Sequence, residues 1–353
     1  TGYFTDLRLK DLAKLRTAAA NIYRADILPV PGSGPILGCV TYKDDTYAFR
    51  NNVGGTAADI YRSSPTGWEL VPLGRKVTFS NLTEMPPDAD TLVQGAVTAT
   101  IDRTVILTGD VTQNNAAGYF IVSSVSGGSF TVAAATFTGG TCDITSPDAA
   151  IVILPNGVYN FSIGNFFATD DSERIYGADS VNDGFEFDGT HYVPIAVPDL
   201  EKKPNYAMVH ADHLFFSIGA SLIHSAIGNP YNFEVLKGAG EIGSGGNITG
   251  LVMIPGSQSG AALMVLARNS TWILYGSSSA DWKFVNFNQG IGGWDRTGQN
   301  LFEAFALDDR GVTQMKQSLN YGNFDAATLT HNIQPFVSVN RGLSVCSGIS
   351  RGN

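Results

Sequence analysis

ILGCVTYKDDTYAFRNN, residues 36–52, decides the fold: an apolar run, a polar turn at Lys43 to Asp45 and an aromatic run make a β-hairpin signature. The same phrase returns as NFFATDDSERIYGADS from Asn165, YAMVHADHLFFSIGASLIHSAIG from Tyr206, AALMVLARNSTWILYGSS from Ala261 and AFALDDRGVTQMKQS from Ala304. Several copies add a further element closing on an aromatic, the candidate outer strand of one blade: TGWELVPL at Trp68, DGTHYVPI at Tyr192, PYNFEVL at Phe233 and ADWKFVNF at Trp282. Equivalent starts at Val40, Phe166, Met208, Leu263 and Ala304 recur at about the 40–50 residues of a four-stranded propeller blade. The first interval alone is too long, and it returns to that length once Phe79–Leu154 is set aside as an insert. A blade is stable only when neighbours cover both of its faces.

The expected architecture is therefore mainly β. Residues 1–35 hold one helix and a Pro/Gly hinge, 36–78 a first propeller blade, 79–154 an inserted small β-sandwich or barrel, and 155–353 further blades with the last incomplete. In the insert, Val97, Ala99 and Ile101 alternate with polar residues, and GYFIVSSV and SFTVAA are joined by an SGG turn. The helix is expected where Leu12, Leu15, Ala19, Ile22 and Tyr23 recur at helical spacing ahead of PVPGSGP. NRGLSVCSGIS reads as the first strand of a further blade. With Thr1 in place of Met at the start, this implies a fragment or trimmed product.

Composition agrees. Forty glycines supply the positive-φ turns that many short strands need, and 15% charged residues are too few for a disordered chain. A net charge of −10 argues against phosphate-backbone binding as the main task. No apolar stretch approaches the roughly 20 residues of a membrane helix. Cys39, Cys142 and Cys346, odd in number and far apart, read as buried thiols.

No residue is assigned a catalytic, cofactor-binding or metal-ligating role, and no cofactor is expected. GAGEIG, at Gly238, Gly240 and Gly243, matches the dinucleotide fingerprint in letters, but no helix follows it, so it reads as an inter-blade loop. GSQSG, Gly256 to Gly260, places Gln258 where a nucleophile elbow needs serine. His210, Asp212 and His213 could ligate a metal, yet read as a solvated hairpin turn. Asp44/Asp45, Asp170/Asp171 and Asp308/Asp309 recur in repeat turns, where Asp accepts backbone hydrogen bonds; a glycosidase needs its carboxylates to face each other across a cleft. Trp68, Trp272, Trp282 and Trp294 read as blade packing.

The phrases ADILPVPGSGPILG, TYKDDTYAFRNN, LFFSIGASLIHSAIGNPYNFE, STWILYGSSSADWKFVNFNQGIGGWDRT and ALDDRGVTQM together resemble virion structural proteins of tailed bacteriophages, closest to β-propeller tail proteins of the nozzle type. That resemblance implies a non-catalytic subunit of a symmetric ring of identical copies, meeting an adaptor above and fibres or a needle below. Double-stranded DNA would pass through the lumen without specific binding, with no membrane partner and the virion as location. The rival expectations are a propeller glycoside hydrolase or depolymerase acting on host polysaccharide, and a carbohydrate-binding receptor module.

Overall fold

The computed structural model describes residues 14–19, 21–22, 28–167, 172–197, 202–254, 262–301, 303–317 and 324–340. The fold is mainly β and of propeller type. Among the described residues it has five four-stranded antiparallel sheets in simple up-and-down order and one closed barrel. The chain divides into two compact units after Val71.

The first unit holds one blade sheet, β1 (Ser33–Tyr42), β2 (Asp45–Asn51), β3 (Ala58–Ser64) and β4 (Gly67–Leu70). Tyr42 pairs with Asp45 across a two-residue turn in which Lys43 has φ 45°. The Pro/Gly segment is docked rather than free. Val30 is buried with Ala48 and Tyr61 against Trp68, whose Nε1 donates to the Leu28 carbonyl at 2.9 Å. Residues 14–19 and 21–22 are helical, and Leu15 and Ile22 are exposed there; Leu12 and Tyr23 lie outside the described residues. Cys39 is exposed on the edge strand β1, which corrects the expectation of a buried thiol: this face of the strand has no cover within its unit.

The second unit opens with the barrel: β5 (Arg75–Leu82), β6 (Thr91–Gln94), β7 (Val97–Thr108), β8 (Ala116–Ser126), β9 (Ala134–Phe137) and β10 (Gly140–Ile144), with β11 (Ala149–Ala150) paired to the outside of β5. Pairing of β10 back onto β5 closes six strands, so no edge remains within the ring. The first strand begins at Arg75, ahead of residue 79. Phe79, Leu82, Leu92, Phe120, Val122, Phe130 and Ile144 fill the interior.

Four blade sheets follow in the same unit: β12 (Asn160–Gly164), β13 (Arg174–Ala178), β14 (Gly184–Phe187) and β15 (Tyr192–Ile195); β16 (Tyr206–His210), β17 (His213–Ile218), β18 (Ser221–His224) and β19 (Gly240–Gly243); β20 (Ile248–Ile254), β21 (Ala262–Ala267), β22 (Thr271–Tyr275) and β23 (Lys283–Asn288); β24 (Gln299–Leu301), β25 (Glu303–Asp308), β26 (Gly311–Gln317) and β27 (Phe324–Thr328). The first strands β12, β16, β20 and β24 lie beside one another in succession, the arrangement of strands around a propeller axis. Helix α1 (Gln334–Asn340) follows β27. The rest of NRGLSVCSGIS, with Cys346, lies outside the described residues.

Two assignments are corrected. PYNFEVL is not an outer strand: Tyr231 and Phe233 turn inward to the core shared by the barrel and the neighbouring blade, and the Asn229 and Asn232 carboxamides cap backbone N–H groups two residues on. The outer strand is GEIG instead, the segment expected to be a loop. Its glycines suit the position, because a Cβ at Gly240 would stand 2.8 Å from His224 Nε2.

The barrel meets its neighbouring blade through GYFIV, residues 118–122. Phe120 and Val122 point into the barrel, while Tyr119 and Ile121 face the blade with Tyr176, Val193 and Phe216. An unbroken apolar run is what burial on both faces requires. Backbones come close here: a Cβ on Gly118 would sit 1.9 Å from the Val105 carbonyl oxygen. Gly118→Ala is expected to lower stability by about 1–3 kcal/mol, the cost of overpacking, read as a fall in the denaturant midpoint at unchanged slope.

Candidate functional site

The strongest concentration of buried charge lies where the barrel touches the β12–β15 blade. Its centre is Glu186 in the run GFEF, with none of its surface exposed. Phe185 and Phe187 project to one face of β14, where Phe185 packs against Tyr159, Phe161 and Tyr192. Glu186 shares the opposite face with its cross-strand partners Tyr176 and Val193, the face that the barrel covers.

Arg103 reaches this face because of a β-bulge. Ile101 faces the barrel interior, so strict alternation would send Arg103 and Val105 inward as well. The β7–β8 register shifts between Ile101 and Arg103, and Val105 packs on the blade side. One extra residue in a strand reverses the facing of everything beyond it.

The carboxylate is then held from several elements. Tyr231 and Tyr176 donate their hydroxyls to Glu186 Oε2 at 2.5 and 3.1 Å. The Nε atoms of Arg103 and Arg174 stand 4.0 and 3.9 Å from Oε1. Arg103 also forms an ion pair with Asp188. Asp188 caps its own turn, accepting the Thr190 and His191 N–H groups at 2.8 and 2.7 Å and meeting His191 Nδ1 at 3.1 Å. His191 Nε2 lies 4.0 Å from Asp102 of β7, and Asp102 accepts the Ser123 hydroxyl at 2.9 Å. Tyr119 of the barrel donates to the Pro194 carbonyl at 2.5 Å.

Burial raises the pKa of Glu186, opposed by the Tyr231 hydrogen bond, Arg103, the Tyr176 hydrogen bond and Arg174. Burial would also raise Asp188, but hydrogen bonds from the His191 ring and backbone and from Thr190 hold it well below the usual carboxylate range. His191 is raised by its hydrogen bond to Asp188, against burial. The cluster is thus a chain of opposite charges joining β7 of the barrel to β13, β14 and the β14–β15 turn of the blade.

A second polar cluster surrounds the VHADH hairpin. The turn is Ala211–Asp212, with φ of 47° and 57°; Asp212 is exposed, whereas His210 and His213 are 3% and 1% exposed. The expected solvated turn is therefore corrected for the histidines: they end their strands facing the interior. His213 and His224 both meet the Ser225 carbonyl through Nδ1, at 2.6 and 3.0 Å, and both rings contact Trp282 at centroid distances of 4.8 and 4.4 Å. A carbonyl can only accept, so each Nδ1 carries the proton. Burial, with His213 nearby, pushes His210 down to about 4. Among the described residues no group of three or more His, Cys, Asp or Glu is placed to hold a metal.

The remaining sequence candidates fall outside both clusters. Asp308, 3% exposed, accepts the Arg310 N–H at 2.7 Å within its own turn, and Asp309 pairs at 2.7 Å with Arg268 of the β21–β22 turn in the preceding blade. Asp170, Asp171 and GSQSG lie outside the described residues. Cys142 is buried in the barrel, its thiol pushed up to about 12 by burial, with Asp143 adding to the effect. Trp272 stacks on Phe284 at 5.0 Å, and Arg268 covers Trp294 at 4.1 Å. Among the described residues no helix is long and apolar enough to cross a membrane. Sequence reasoning missed Glu186, Arg103 and His191. The available signal was a glutamate between two phenylalanines in a short strand.

Removing one partner of a buried ion cluster strands the other. Arg103→Ala is expected to cost about 3–5 kcal/mol, and Glu186→Gln in the same chain should recover part of it, as a double-mutant cycle in denaturant unfolding will show. Imidazole titration by NMR should place His191 above its ordinary 6.5 and His210 near 4. The signs are opposite. The His191 contribution is complete below pH 6.5 and disappears as pH rises through its raised folded pKa; the His210 contribution is complete above pH 6.5 and disappears as pH falls toward 4.

Compared with known proteins, the chain matches no family model and no curated protein significantly, so function is argued from residues and geometry.

Proposed function

We propose that this chain is a non-enzymatic architectural subunit of a bacteriophage tail, a nozzle-type component that assembles with copies of itself into a ring around the DNA channel. The observation that carries the reading is the seam between barrel and blade. A module spliced into a propeller is tied to it by a buried network running from Asp102 through His191, Asp188 and Arg103 to Glu186, with apolar packing of Tyr119 and Ile121 alongside. Such a joint suits a part that bears load, because displacing the barrel would take the partners away from the fully buried Glu186 carboxylate.

Three further features support it. The quoted phrases resemble tail proteins of this type. Asp308 is engaged in its own turn and Asp309 in an ion pair with Arg268 of the preceding blade, rather than facing another carboxylate across a cleft. A net charge of −10 gives a subunit that repels DNA phosphates, so a duplex could pass the ring without adhering. In this reading the partners are an adaptor on one side and fibres or a needle on the other, and the location is the virion.

The test is assembly. The purified full chain, concentrated and imaged by negative-stain electron microscopy, should form closed rings of one size, and antibody raised against it should decorate phage tails. A monodisperse monomer that releases reducing sugar from host capsule or lipopolysaccharide would overturn the proposal in favour of a depolymerase.

A further inference from the structure

The seam opens on one side into a pocket of about 240 Å³. The barrel contributes Met85, Asp102 and Arg103, and the propeller side contributes Phe167, Ser172 and Arg174. The volume lies below the roughly 300–1,000 Å³ of sites for drug-sized ligands, which excludes a dinucleotide or an extended chain and leaves room for one small ring.

The lining states what that ring must be. Arg103 and Arg174 bring positive charge and donors, Asp102 and Asp88 bring negative charge and acceptors, and the Ser172 hydroxyl, its proton given to Asn165, accepts. A small anion would meet the carboxylates and a small cation the guanidiniums. A neutral molecule carrying several groups that each donate and accept suits the mixture. Met85 and Phe167, 47% and 44% exposed, add apolar surface for a C–H face. Those requirements together describe a saccharide ring.

The polar groups are held in place before any ligand arrives. Ser123 donates to Asp102, Asp188 holds Arg103, and Ser172 donates to Asn165 Oδ1 at 2.8 Å. Tyr231, also lining the pocket, is fixed by Glu186. Little side-chain freedom is left to lose on binding.

We propose that this pocket is a monosaccharide subsite, taking one neutral hexose or N-acetylhexosamine unit of a glycan, without catalysis. It does not depend on ring assembly, so either proposal can fail alone. The experiment is saturation-transfer-difference NMR on the full chain with millimolar glucose, galactose, mannose, N-acetylglucosamine and N-acetylgalactosamine in turn. Transfer to the ring protons of at least one sugar is expected. Phe167→Ala should weaken binding about two- to tenfold, the range of a lost aromatic contact, with an unchanged melting temperature, and Ser172→Ala should weaken it too. Leu236→Ser, at an exposed position away from the pocket lining, should leave the transfer intact. Silence toward every sugar in the panel, or transfer undiminished by both pocket substitutions, overturns the proposal.

Discussion

A carboxylate shut away from water has to be compensated from within, and Glu186 is compensated by groups that come from different elements of one unit. Arg103 belongs to the barrel, Arg174 and Tyr176 to β13, and Tyr231 to the loop after β18. Each reaches the carboxylate only if the barrel, its blade and the next blade are all in register. The cost of an isolated buried charge is several kcal/mol, so this arrangement makes correct docking of the barrel a condition for folding that region at all.

Apolar packing cannot impose such a condition alone. Tyr119, Ile121 and Val105 bury surface against Tyr176, Val193 and Ile195, and that burial supplies the larger share of the driving force. It is also non-directional. A barrel sliding by one residue would still bury apolar area, whereas hydrogen bonds and ion pairs fall off steeply with angle and distance. The Tyr119 bond to the Pro194 carbonyl and the Arg103 pair with Asp188 therefore choose one position among several of similar apolar contact.

Much of the fold could be read from the chain, because period-two alternation and two-residue turns are local. The hairpin in 36–52, the outer strands at Trp68 and Tyr192 and the strand-rich insert are recognisable without tertiary knowledge. The phase of the repeat is not. A four-stranded blade contains three hairpins, and all three look alike in sequence: the copy from Tyr206 runs over the first three strands, while the copies from Ala261 and Ala304 span the second and third. Local pattern has no term for which hairpin faces the axis. GEIG failed as a strand signal for a related reason. Its glycines answer to the neighbouring His224 ring, a contact visible only after folding.

The candidate site was hidden by the same logic in sharper form. A glutamate between Phe185 and Phe187 reads as the polar side of a half-exposed strand, and that inference holds for any blade with one face in water. Here the inserted barrel covers that face. The information needed to reverse the reading lies in β7, where a bulge at Ile101–Arg103 sends an arginine outward, and a bulge has no dependable one-residue signature. The candidate site thus depends on context: a strand face carrying a glutamate is covered by a module from elsewhere in the chain. The charges on the covered face satisfy one another. Polar groups accordingly line a pocket at this seam, whereas the barrel interior is filled by apolar side chains.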